Sequence, residues 1–232
     1  EPDYVSRVAS VFNNNGSGVR GDLRAVVRAI LMDPDARAKP VSGSHQGKLR
    51  EPLIRLLQYS RAFNATDPVG RYNDWYLRWP DGMIPQAALH SPTVFNFFLP
   101  DYAPPGEISA AGLLAPEFQV QTDGYVTNLN DLLNDLTWNL AGSPYPNLNT
   151  YVTDRYMQFN VEPERAMRSN ANLERLLERL DVLLMSGSMS THMRTTLRNY
   201  LLTVSENGDN GYRRVKDALW MIFAAPEYVV EK

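Results

Sequence analysis

The sequence predicts a mainly all-α chain, an irregular multi-helix domain with a long aromatic- and proline-rich loop region. Seven stretches place apolar residues three or four positions apart, the spacing that lines one face of a helix. No alternation of polar and apolar residues is long enough for a convincing strand; Tyr151–Phe159 is the best candidate. The interval 66–127 is rich in Pro, Gly and aromatics, and reads as a long packed loop between helical residues 1–65 and 128–232 of a single domain (1–232).

The first helix covers 3–13, with Tyr4, Val5, Val8, Ala9 and Phe12 as its stripe, and Asn13-Asn14-Asn15-Gly16 stops it. The second covers 22–33. Leu23, Val26, Val27, Ile30 and Leu31 fall at i, i+3, i+4, i+7 and i+8, which predicts one buried face. Asp22 suits its first turn and Pro34 follows its end. The third covers 50–63, with Pro52 in the first turn. The fourth (128–140) carries Leu129, Leu132, Leu133, Leu136 and Leu140. The fifth (171–186) carries Leu173, Leu176, Leu177, Leu180, Leu183 and Leu184, and Gly187-Ser188 breaks the chain after it. Ser190 is placed to N-cap a sixth helix over 190–204. The last runs from about 210 to 224 and stops before Pro226.

Composition narrows the function. The chain has 232 residues, 44% of them apolar, enough for a large core. A net charge of -3 from 23 basic and 26 acidic residues excludes a dedicated nucleic-acid surface, which needs a basic excess. Without cysteine there are no disulfides, thiolate metal sites or cysteine nucleophiles. The longest apolar run, Ala218–Ala225, falls well short of the ~20 residues of a membrane span. Glu1-Pro2 leads directly into a helical stripe with no initiator Met, which reads as a start inside a domain. A missing amino-terminal half of the same protein, or a second chain, is then expected to pack on Tyr4, Val8 and Phe12.

Few residues carry recognisable chemistry. His45, His90 and His192 are isolated, so no metal site and no cofactor is expected. Residues 205–211 offer oxygen ligands and glycines but not the full calcium-loop pattern, and read as an interhelix turn. Gly16-Ser17-Gly18 precedes a helix and reads as a turn in preference to an anion cradle. The best polar candidate is the cluster Lys48, Arg50, Glu51 and Arg55, with Arg20 and Asp22 as neighbours. Glu51 and Arg55 are i, i+4 neighbours able to pair. The cluster is either an anion or carboxylate site, or a salt-bridge network tying the loop to the helices. Phe95-Asn96-Phe97-Phe98 is expected to dock into the helical core with Asn96 buried. Trp75, Tyr76 and Trp79 lie among Asp74, Arg78 and Asp81, where aromatics can stack on sugar rings or cover a core.

Four strings carry a resemblance: VFNNNGSGVRGDLRAVVRAILMDPDAR, GKLREPLIRLLQYSRAFNA, SPTVFNFFLPDYAPPGEISAAGLLAPEFQ and the closing APEYVVEK. Together they resemble the bacterial family known as domain of unknown function 1800, most strongly over 5–65 and 91–120. The resemblance implies the carboxy-terminal half of a longer, exported bacterial protein, extracytoplasmic in location, without an established reaction. The first expectation is therefore a non-catalytic helical scaffold or interaction domain. Two alternatives are a polysaccharide hydrolase, with the 48–55 cluster and Asp101 lining a cleft, and a carbohydrate-binding module using Trp75 and Trp79.

Overall fold

The structure is a computed structural model that describes residues 2–38, 47–66, 84–138 and 158–231. Residues 1–47 and 48–231 form two compact units.

The first unit is a helical hairpin, α1 (Pro2–Asn13) and α2 (Leu23–Met32), followed by a single turn, α3 (Pro34–Arg37). Asp22 accepts from the Ala25 N–H (3.1 Å) as the N-cap of α2, and from the Asn15 amide (2.8 Å). Arg7 on α1 forks onto Asp33, with both bonds at 2.7 Å, and reaches Asp35 at 2.6 Å. Tyr4 donates to the Ile30 carbonyl at 2.8 Å. The spacing on α2 predicted a buried face, but none of its residues is buried. Ala25, Val26 and Ala29 are half-buried, whereas Leu23, Val27, Ile30 and Leu31 are exposed. A two-helix hairpin has too little surface to cover both sides of a wide apolar stripe.

The second unit holds one apolar core. It opens with β1 (Lys48–Leu49) and α4 (Pro52–Ala62). Next come a single turn, α5 (Glu107–Ala110), and a 3₁₀ segment at Pro116–Val120. Then follow α6 (Asp123–Trp138), α7 (Glu162–Ala166), α8 (Leu173–Met185), α9 (Thr191–Thr203), α10 (Arg213–Phe223), α11 (Pro226–Val229) and β2 (Val230–Glu231). α10 packs against α6 and α9, and α8 packs against α4 and α9. Leu133 and Leu136 of α6, Leu176 and Leu180 of α8 and Leu219 of α10 are wholly buried where these stripes meet. Caps match the local chemistry: Ser190 accepts from the Met193 N–H at 3.1 Å, and α8 ends where Ser186 and Gly187 turn left-handed at φ 55° and 77°.

β1 and β2 pair antiparallel, Lys48 opposite Glu231 and Leu49 opposite Val230, joining the two ends of this unit. Most of the strand candidate 151–159 lies outside the described residues; Gln158 forms an isolated bridge with Thr66. Phe95 does not dock into the core: it is 57% exposed, and Asn96 is exposed, not buried. Thr93 and Asn96 close a tight turn, with Asn96 at φ 77° and the Phe95 N–H bonded to the Thr93 hydroxyl at 3.1 Å. That turn commits the local hydrogen bonds to itself and points the ring at solvent. Among the described residues no helix is long and apolar enough to cross a membrane.

Candidate functional site

The polar cluster predicted at 48–55 sits where the start of α4 meets the carbonyl end of α8. Lys48 stays exposed in β1. Arg50 is buried, and its Nη1 donates to the Leu184 carbonyl at 2.6 Å and to Gln58 Oε1 at 3.2 Å. Gln58 also donates to the Leu184 and Leu183 carbonyls, at 2.9 and 3.3 Å. These donors satisfy the last, otherwise unbonded carbonyls of α8, where a cation suits the negative end of the helix dipole. The backbone holds Arg50 in place: its N–H donates to Val229 O at 2.8 Å, and its carbonyl accepts from Gln121 at 3.1 Å. The guanidinium lies 5.2 Å from the centre of the Tyr228 ring, and its Nε is 3.7 Å from the Glu231 carboxylate.

Glu51 turns away from Arg55. Its carboxylate accepts from the Gln86 amide at 2.6 Å, and Gln86 Oε1 accepts from the Leu53 N–H at 3.2 Å. The expected Glu51–Arg55 pair is therefore not formed; buried Gln86 takes the carboxylate and ties residues 84–87 to the first turn of α4. Arg55 is 2% exposed, and among the described residues its guanidinium makes no hydrogen bond or ion pair. Burial pulls its pKa down to about 10, Tyr228 opposing that shift and Arg50 adding to it.

Two residues at this junction escaped the sequence reading. Tyr59, one turn beyond Arg55 on the same face of α4, is wholly buried with its ring 4.3 Å from that of Phe159. Tyr228 on α11 is equally buried. Phe223 packs against both rings, at 5.0 and 5.4 Å. Burial pushes the Tyr228 hydroxyl up to about 12, with Arg55 and Arg50 drawing it back, and pushes Tyr59 up more strongly. The i+4 spacing from Arg55 could have flagged Tyr59. Tyr228 lies too far along the chain for any spacing to connect it.

The other candidates go elsewhere. Asp101 is exposed in the turn after Leu99, with no hydrogen bond or ion pair to the cluster among the described residues. Trp75 and Trp79, with Tyr76, lie outside the described residues, as does His45. Arg20 stacks over Phe12 at 5.6 Å, and Asp22 is occupied as a cap. In the Gly16–Gly18 turn, the N–H groups of Gly16 and Gly18 donate to Asn14 Oδ1, both at 2.9 Å. Those of Ser17 and Val19 donate to Asn15 Oδ1. The amides an anion would need are taken. In the 205–211 turn, Lys216 Nζ donates to Asp209 at 2.6 Å, with both side chains buried, so an ammonium occupies the carboxylate that a calcium ion would use. Among the described residues no three His, Cys, Asp or Glu side chains cluster to hold a metal.

No curated protein and no solved structure matches the chain. A family model does match, over residues 1–230, described as Protein of unknown function (DUF1800), and the chain belongs to that family.

Proposed function

We propose that this chain is a non-catalytic helical scaffold and interaction domain of an exported bacterial protein, and that its contact face is the open side of α2. The observation that carries this reading is the stripe Leu23, Val27, Ile30 and Leu31, exposed on one side of a helix whose polar neighbours are fixed within the hairpin. Leu23 is 68% exposed and Leu31 65%. Apolar side chains contiguous on a helix face are costly in water and mark contact surfaces. Phe12 and Val5 on α1 are also open, while Tyr4 and Val8 are half-buried. The occupant is the amino-terminal part of the same protein implied by the resemblance. The exported setting rests on that resemblance alone.

Neither alternative gains a specific observation. A hydrolase needs paired acidic groups across an open cleft, and Glu51 is engaged by Gln86. The sugar platform rests on Trp75 and Trp79, outside the described residues.

Hydrogen exchange on the intact protein tests the reading. The amides of α1 and α2 are expected to exchange slowly, and Leu23→Glu with Val27→Glu to restore fast exchange there while the amides of α8 and α10 stay protected. Fast exchange along α2 in the intact wild-type protein would sink it.

A further inference from the structure

The junction of α4 and α11 carries donors that the fold leaves without acceptors. Arg55 Nε is buried and unpartnered, and so are the hydroxyls of Tyr59 and Tyr228. Two other buried cations of the same unit are engaged, although Arg168 Nε is also buried without a partner among the described residues. Arg214 donates to the Val204 carbonyl at 2.6 and 2.9 Å and to that of Arg168 at 2.7 Å, and Lys216 holds Asp209. A buried polar group left unbonded destabilises the fold, and a buried unpaired charge does so more strongly. Native interiors rarely accept several such groups side by side.

The three groups belong to one place. Arg55 and Tyr59 share a face of α4, the rings of Tyr59 and Tyr228 both pack on Phe223, and the charge of Arg55 is felt at the Tyr228 hydroxyl. Arg50 adds a second positive charge against the Tyr228 ring. Arginine has five N–H donors and no acceptor, and a tyrosine hydroxyl donates readily to an anion. The complement of such a set is a compact group of several lone pairs and negative charge.

We propose that Arg55, Tyr59 and Tyr228 form a buried binding site for a small oxyanion, a carboxylate or a phosphate group, with Arg50 supplying positive charge at its edge. The guanidinium binds two oxygens through its planar fork, and the two hydroxyls donate to the remaining lone pairs. The anion relieves three buried donors at once, so it binds the folded chain and not the unfolded one.

Thermal unfolding and calorimetry of the chain with sodium phosphate or sodium acetate, against sodium chloride at equal ionic strength, test this. At least one of the two anions is expected to raise the midpoint over chloride, increasingly with concentration, as a ligand of the folded state does. A response to acetate alone assigns a carboxylate, and a response to phosphate alone a phosphate group. Arg55→Met is expected to weaken binding about tenfold or more, and Tyr59→Phe or Tyr228→Phe several-fold, in line with the loss of charge-assisted bonds. If Arg55→Met does not fold, the tyrosine variants decide the question, because each removes one unbonded hydroxyl and keeps the packed ring. Equal midpoints in all three salts overturn the proposal and leave a site that holds water only. Undiminished binding by Arg55→Met, or by Tyr59→Phe and Tyr228→Phe together, overturns it equally.

Discussion

Asp209 and Lys216 show how much one buried pair can hold. Asp209 sits at φ 51° in the turn between α9 and α10, and Lys216 Nζ reaches its carboxylate from the first turns of α10. The side chains are 7% and 4% exposed, so water screens their attraction little. Lys216→Met leaves a buried carboxylate without its cation and is expected to cost about 3–5 kcal/mol. Adding Asp209→Asn removes the stranded charge, tolerates the left-handed backbone, and recovers part of that loss. Urea unfolding of the single and double variants reads both values; a single variant as stable as the wild type would mean that the pair adds nothing. This pairing was not legible in the sequence, where Asp209 stood out only as an oxygen ligand in a polar turn. At 48–55 the residue types were legible and their partners were not. Arg50 faces the end of α8, and Glu51 is taken by Gln86, a neutral side chain that no charge pattern marks.

The hairpin α1–α2 is held by carboxylates that titrate. Asp22 is kept below the usual carboxylate range first by the Asn15 amide and then by the Ala25 N–H; Asp33 is kept low first by the Arg7 guanidinium. A carboxyl lowered on folding adds stability that is complete above its unfolded pKa, about 4, and is lost as pH falls through the lower folded value. The hairpin should therefore be unchanged from neutral pH down to about 4 and should open below it. NMR shifts of the Ala25 and Asp35 amides through that range measure this, and shifts that stay flat would show that neither carboxylate matters. Several helix boundaries were legible because their signals are local: Ser190 caps, Pro52 lies in a first turn, and Gly187 and Pro226 follow helix ends. Asp22, read as a first-turn residue, is the cap of α2, and the short α11 that Pro226 opens was not foreseen. Which face of α2 meets protein was not, because periodicity gives an apolar face without naming what covers it. The turn at Thr93–Asn96 misled for a related reason: three phenylalanines suggested burial, and a local hydrogen-bond pattern turned Phe95 outward.

Across the larger unit, the leucine stripes of α6 and α8 were visible in the sequence and form the centre of its core. The β1–β2 pair was not, since two-residue strands carry no alternation to detect. That pair sets Lys48 directly across from Glu231, and residues facing each other in an antiparallel ladder stand only about 4.5–5.5 Å apart at their Cα atoms. The unit thus has its entrance and its exit at one spot, and in topological terms it is almost a ring. A linker of a few residues from Glu231 to Lys48, with new termini opened between exposed Ser91 and Pro92, should yield a circular permutant that keeps the native helical spectrum. Its loop-closure cost should be on the order of 1 kcal/mol. A permutant that melts far earlier would show that the clasp matters for more than closing the chain. A body of this kind hangs from its polypeptide like a pendant from a cord: sequence added on either side leaves from the same point, and tension along the chain meets the two-residue clasp before it reaches the leucines.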